Sequence, residues 1–357
     1  MERALKRLPL PASQTATLRS RIVTWPGDIV FNKLRTWQGG LGVSSHFGIV
    51  SPAYYVCRPR TIANPRFLHY TLRSTPYLAE LTRLSKFMPP SQFDILWDDL
   101  RKMPLDLPDR REQRAIADFL DAETARIDAL IAKKRQQSGL LKERWESTVR
   151  SIASSAGTRV PLRRAWTVVD CRHRTPDYVA SGYPVVSPGD VVPGRLQLSR
   201  CHRFVDESDF LDLTAGRRRP VRGDIVYSRN ASIGIAAYVD VDEPFTMGQD
   251  VCLIRSDGQN QLWLTYMLNS IGVDQLAEIK IGSTFDRVNI SQLLDLQIPV
   301  PSVEIQATKA VRLDATRLRL DRVQVVLARQ INMLHERRQA LITAAVTGHL
   351  KIPGAAA

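Results

Sequence analysis

The chain has 357 residues, 44% of them hydrophobic and 24% charged, and carries 50 Lys+Arg against 36 Asp+Glu, a net charge of +14. That length calls for more than one domain, and the composition excludes wholesale disorder and a disulfide scaffold. No apolar run approaches the roughly 20 residues a membrane helix needs, and no apolar stretch follows the charged start as it would in a secretory signal. With neither of these and no disulfide framework, a cytoplasmic protein is the expectation, and the surplus of base points to a polyanion, most simply nucleic acid.

In chain order, residues 1–108 hold a net +8, with strand-like runs at Asp28-Ile29-Val30-Phe31 and Gly48-Ile49-Val50 and helical spacing over Pro65–Leu84. After Leu107-Pro108 a long helix is predicted from about Arg111 to Ser151, its apolar residues Ile116, Leu120, Ile127, Ile131, Leu141, Trp145 and Ile152 recurring at threes and fours. Residues 153–301 are nearly neutral at −1, with strands at Ile225-Val226-Tyr227 and Ile235–Val239 and helical spacing over Gln261–Ile279. A second long helix follows Pro301, with Leu313, Leu320, Leu327, Leu334 and Leu341 at an unbroken spacing of seven. A helix of about 40 residues spans roughly 60 Å, more than a small domain buries, so each needs the other as partner. Leu120, Ile127 and Leu141 are then expected to meet the second seam in an antiparallel coiled coil, with a globular unit at either end. The competing arrangement is a long helix lying across its own domain.

The chain repeats itself. Gly27-Asp28-Ile29-Val30 recurs as Gly223-Asp224-Ile225-Val226, 196 residues later, and residues 107–152 align with 300–345 with 12 identities, including Gln113 with Gln306 and Asp121 with Asp314. The expected fold is mixed α/β (α+β): two globular domains and two long helices in two copies of one unit. The divisions are 1–108, a helix over 109–155, 156–301, a helix over 302–350 and a tail over 351–357. At the same offset Met1 falls against Gln197, so residues 158–196 have no counterpart and the first domain is expected to lack its beginning: either the true start lies upstream or the gene is truncated, and if Met1 is the genuine start the first domain is expected to be less stable and to read DNA poorly.

These residues resemble the specificity subunits of type I restriction-modification systems over nearly the whole chain. The stretch Leu107-Pro108-Asp109-Arg110-Arg111-Glu112-Gln113 through Phe119-Leu120-Asp121-Ala122-Glu123-Thr124-Ala125-Arg126-Ile127-Asp128-Ala129-Leu130-Ile131 is similar to the family's helix entry, and Val300-Pro301 with Gln306 is a looser second copy. Gly27–Gly39 with Gly48–Tyr54 resembles one kind of target-recognition domain, and Gly282-Ser283-Thr284 ahead of Asn289-Ile290 the end of another. The resemblance implies a chain without catalytic residues. Each domain would read half of a split DNA sequence, and the helices would fix the spacer and dock methylation and restriction subunits. S-adenosylmethionine, ATP and magnesium would belong to those partners, with no cofactor bound by this chain. The competing function is a coiled-coil scaffold that binds DNA nonspecifically.

Candidate DNA contacts combine cations, amides and aromatics near strand ends. In the first domain they are Asn32, Lys33, Arg35, Trp37 and Gln38, the alternative being a solvated loop with Trp37 in the core. In the second, Arg217, Arg218, Arg219 and Arg222 suit phosphates, Ser228, Arg229 and Asn230 suit base edges, and Lys280, Thr284 and Arg287 form a third group. A solvated basic turn and a plain surface loop are the alternatives for the arginine run and the third group. Methyltransferase and P-loop signatures are missing from the sequence. Cys171 with His173 and Cys201 with His202 lack the tight paired spacing of zinc sites, so no metal is expected.

Overall fold

The Gly-Asp-Ile-Val repeat builds the same turn twice. Gly27 and Gly223 adopt φ of +91° and +97°, which only glycine takes without strain. The following carboxylate then locks the turn: Asp28 accepts from the Trp25 N–H and pairs with Arg58, and Asp224 accepts from the Val221 N–H and pairs with Arg255. In the computed structural model, which describes residues 1–8, 22–88, 92–230, 233–280 and 287–354, the chain forms two units, Met1–Gln136 with Leu327–Ala357, and Gln137–Val326.

The first unit contains β1 (Leu5–Arg7), β2 (Ile22–Thr24), β3 (Ile29–Asn32), β4 (Leu41–Val43), β5 (Gly48–Val50), β6 (Tyr54–Pro59), α1 (Pro65–Leu72), α2 (Thr75–Leu84), β7 (Lys86–Met88), β8 (Gln92–Asp94), α3 (Trp97–Lys102) and the start of α4 (Arg110–Ser154). Its main sheet is antiparallel in the order β1-β6-β3-β4. Ile29, Phe31, Cys57, Leu68, Leu72 and Leu100 fill the core beneath it. The helical spacing over Pro65–Leu84 resolves into two helices, because the Arg73-Ser74 step is extended at Ser74 and Pro76 stands in the first turn of α2.

The second unit, beginning within α4, contains β9 (Arg159–Pro161), β10 (Thr167–Asp170), β11 (Tyr183–Val186), β12 (Gly194–Arg195), β13 (Phe204–Val205), α5 (Glu207–Leu213), β14 (Ile225–Ser228), β15 (Ala236–Tyr238), β16 (Thr246–Met247), β17 (Val251–Arg255), α6 (Gln261–Met267), α7 (Val273–Lys280), α8 (Ile290–Asp295), β18 (Gln297–Pro299) and the start of α9 (Val303–Val346). The sheet order β10-β17-β14-β15-β12 repeats that of the first unit and adds β12, and a second sheet runs β13-β11-β16.

This topology corrects the expected position of the length difference. The Met1 amine donates to the Met103 carbonyl at 2.8 Å, as the Leu162 N–H does to the Leu296 carbonyl at 2.9 Å. Ala4 and Leu5 then donate to the Met1 carbonyl, as Ala165 and Trp166 do to that of Leu162. Met1–Arg7 therefore matches Leu162–Val168, and β1 holds the place of β10. The extra length of the second unit lies inside it, between these strands and β14: residues 171–224 against 8–28. Arg159-Val160-Pro161, which precedes Leu162, has its likeness in Lys351-Ile352-Pro353. Ile352 is buried in the first unit with Phe67, Ile116 and Ile342.

Each long helix enters after a proline and ends before a glycine of positive φ, Gly157 or Gly348. Asp109 caps α4, its carboxylate accepting from the Glu112 N–H at 2.8 Å. Along the seams Leu120, Ile127, Leu313 and Leu327 are buried, and Leu141, Leu320, Leu334 and Leu341 are half-buried. In the first unit Asp128 pairs with Arg338 and Lys134 with Gln330, and in the second Ser138 bonds to Gln324 and the Arg317 guanidinium lies over the Trp145 ring. Partner numbers fall as the α4 numbers rise, so within each unit the helix segments run antiparallel.

Candidate nucleic-acid interface

In the second unit β10, β14 and β17 bring Asp170, Ser228 and Val251 to one end of the sheet. The chain beyond β14 is pinned there: the Arg229 N–H donates to the Asp250 carbonyl at 2.9 Å and the Val288 N–H to the Arg229 carbonyl at 2.8 Å. Asp250 has φ of +64°, the one positive φ outside glycine among the described residues. Its carboxylate holds Arg287 at 2.7 Å and the Asn230 amide at 3.1 Å, so a strained residue organises two of the candidate contacts. Exposed Gln249 beside it donates to the Thr175 hydroxyl at 2.8 Å.

The first unit uses the same sheet end. The Lys33 N–H donates to the Ala53 carbonyl at 2.9 Å and the Ile95 N–H to the Lys33 carbonyl at 3.4 Å, the bonds made at Arg229 in the other copy. Asn32 donates to the Tyr54 hydroxyl at 3.3 Å and accepts from the Leu34 N–H. The Lys33 ammonium and the Arg7 guanidinium each lie 4.7 Å from the centre of the Tyr55 ring. Arg35 and Gln38 are exposed on the short helical turn that follows. Beside them Asn32, Arg35, Tyr54 and Arg73 line an open groove of about 510 Å³. Half-buried Trp37 donates its indole N–H to the Leu34 carbonyl, which ties it into the loop.

Other candidates are placed differently from expectation. Ser228 and Arg229 are buried, with Ser228 donating to the Asn230 carbonyl and the Arg229 guanidinium 2.6 Å from the Asp170 carboxylate. They brace the sheet end and do not reach solvent, because a cation this deep requires a carboxylate partner. Arg222 pairs with Asp242 at 2.6 Å, which offsets its charge. Exposed Arg217 and Arg219 offer their carbonyls to Arg255, leaving both side chains outward, with Arg219 5.9 Å from the Phe210 ring centre. Arg218 donates to the Ala215 carbonyl. Lys280 ends α7, and its side chain, like the whole of Thr284, lies outside the described residues.

Sequence reasoning passed over Asp170, Asp250, Arg7, Tyr54 and Arg73. The acids fall outside a cation-and-amide pattern, although an Asp at the end of a Val-Val strand is a usable signal. Arg7 stands outside the 196-residue offset, since Met1–Arg7 matches Leu162–Val168. Asp170, Cys171 and His173 come within 4.8 Å of one another. Asp170 is already spent on Arg229 and His173, and burial, then the Asp170 charge, pushes the Cys171 thiol up, so the trio suits a hydrogen-bonded brace better than a metal. Burial pushes Cys201 up to about 12.

Residues 180–323 match the family described as "Type I restriction modification DNA specificity domain". Most of the second unit thus lies within a segment similar to that family. The matched segment includes the strands β14 and β17, Asp250 and Arg287. No curated protein matches the chain. Two solved structures share its fold at low identity. One is described as "Structural basis underlying complex assembly and conformational transition of the type I R-M system", with a TM-score of 0.69 and 19% identity, covering 93% of this chain and 84% of that one. The other is the HsdS subunit from Thermoanaerobacter tengcongensis, with a TM-score of 0.54 and 20% identity, covering 94% and 85%. The mixed α/β fold with long helices is thus shared with these two structures, and the first unit repeats the sheet order of the matched segment. No helix among the described residues is long and apolar enough to cross a membrane.

Proposed function

We propose that this chain is the DNA-reading, non-catalytic subunit of a cytoplasmic type I restriction-modification complex, each unit reading one half of a bipartite target. The observation that carries this reading is the sheet end built twice from equivalent backbone bonds, once within a matched specificity domain. Exposed Arg35, Gln38, Arg217 and Arg219 would approach DNA, with Arg287 and Asn230 released from Asp250 to reach base edges. Phosphate contacts by the arginines would give affinity, and groove contacts would give specificity.

The long helices would set the unread spacer, since 45 residues of helix span roughly 68 Å. Val311, Leu318 and Val325, seven apart on α9, are 66%, 42% and 69% exposed, an apolar stripe that suits a helix of a methylation subunit. S-adenosylmethionine, ATP and magnesium would be held by the methylation and restriction partners.

The test is methylation mapping of the source genome, followed by binding of the chain with its methylation subunits to the mapped duplex. A split motif preferred over random DNA by several kcal/mol supports the reading. Uniform binding that varies only with salt supports the scaffold. Arg35→Ala and Arg287→Ala should weaken binding, and Arg287→Ala should also relax one base position by about 1–3 kcal/mol.

A further inference from the structure

Four side chains join a short helix to a long one in the same way in both units. We infer that they are positioning residues that fix the angle at which each sheet end is presented to DNA. This rests on the function proposed above.

In the first unit Gln113, in the first turn of α4, accepts from the Asn64 N–H at 2.7 Å and donates to the Ile62 and Pro108 carbonyls at 3.0 and 2.8 Å. In the second Gln306, in the first turn of α9, accepts from the Asn260 N–H at 3.0 Å and donates to the Pro301 carbonyl at 2.8 Å. Both glutamines are buried, and both asparagines cap the helix that begins beside them, α1 or α6. Eight residues along each long helix the contact is renewed: the Tyr70 hydroxyl donates to Asp121 at 2.7 Å, and that of Tyr266 to Asp314 at 2.8 Å.

Geometry separates a positioning clamp from simple adhesion. The two attachment points lie about 12 Å apart along the long helix and about 9 Å along the short one. A single hydrogen bond leaves a pivot, whereas two separated, directional, part-buried bonds define an angle. Apolar contact would supply adhesion with no direction, and both interfaces contain that as well. The two units differ widely between their first shared strands, yet the clamp is the same. Even the arginine beside each aspartate comes from a different place, Arg66 in α1 and Arg195 in β12, while Asp121 and Asp314 keep their roles.

The experiment uses the full chain with nitroxide labels at Val221→Cys and Val325→Cys, both exposed in the second unit, the four native cysteines being buried. Pulsed dipolar spectroscopy gives the distance distribution between sheet and helix. The clamp predicts one narrow peak in the parent and a broadened or displaced one in Gln306→Leu with Tyr266→Phe, with the circular dichroism spectrum retained. An unchanged distribution with only a lower melting temperature would overturn the inference. If the double variant does not fold, Tyr266→Phe alone removes one oxygen and decides the same question. In the complex with methylation subunits, lengthening or shortening the spacer by one base pair should be penalised about tenfold less by the variant than by the parent, with half-site preference kept. A parent without sequence preference would remove the DNA reading and leave the distance measurement to judge the clamp. Equal spacer penalties would confine the clamp to stability.

Discussion

Replacing Asp224 by Ala should damage the protein more than the same change at Asp28, although both stand in the same four-residue motif. Asp224 accepts from the Val221 N–H at 2.9 Å and from Arg255 at 2.8 and 2.6 Å, with the two charged side chains 5% and 19% exposed. Removing one member of a buried ion pair costs about 3–5 kcal/mol, because the other is left uncompensated. Arg255 keeps bonds to the Arg217 and Arg219 carbonyls, which places the loss near the lower limit, about 3 kcal/mol. Asp28 is as deeply buried, but its partner Arg58 has a side chain 49% exposed and can turn to water. Its loss removes mainly hydrogen bonds, about 1–1.5 kcal/mol. For a unit of this size about 1 kcal/mol corresponds to 2–4 °C, so Asp224→Ala should melt about 6–12 °C lower and Asp28→Ala a few degrees lower. Thermal unfolding by circular dichroism, with hydrogen exchange assigning each loss to its unit, measures both. Equal losses, or a larger one for Asp28→Ala, would refute the argument that partner exposure decides what the motif contributes.

Three further outcomes follow from the same structure. His69 is held down to about 4 by burial first and then by Arg73 and Arg338. With its folded pKa below the unfolded one, its stabilisation is present above about pH 6.5 and declines as pH falls toward 4, by roughly 2–3 kcal/mol, and His69→Gln should flatten urea midpoints across that window. Ile352→Ala empties a site packed by Phe67, Ile116 and Ile342 and should cost about 2–4 kcal/mol, read as faster hydrogen exchange in α1 and the start of α4 with the second unit unchanged. Gly223→Ala meets no atom within 4 Å but must adopt φ near +97°, so it should cost about 1–2 kcal/mol by denaturant titration.

The long helices and the repeat were legible because their signals are periodic: leucines at sevens, and Gly-Asp-Ile-Val at a constant offset. The strands β3 and β14 were legible as β-branched runs after a turn. The place of β1 was not, because equivalence there is set by hydrogen bonds to Met103 and Leu296 and the offset has changed. Within the candidate interface the strand ends were found, but the inward turn of Arg229 was not. Its partner Asp170 is 59 residues earlier in the chain, and a basic residue after a strand reads as surface until that partner is placed. The same limit applies to Arg222, whose charge is met by Asp242 across a loop. The glutamines were noticed as matched letters, while their work as clamps needed the caps at Asn64 and Asn260 in space.

The first unit is assembled from both ends of the chain, whereas the second is continuous from Gln137 to Val326. On a ribosome the two therefore mature in the reverse of their order in the gene. The second can close once its last residue has emerged, while the first waits for the end of α9 and for Leu350 and Ile352 to cover Phe67, Tyr70, Ile116 and Leu120. The 221 residues after Gln136 take about 11–44 s to synthesise at 5–20 residues per second. For that interval the nascent chain carries an uncovered apolar helix face, so chaperone engagement and premature termination should bear mainly on the first unit.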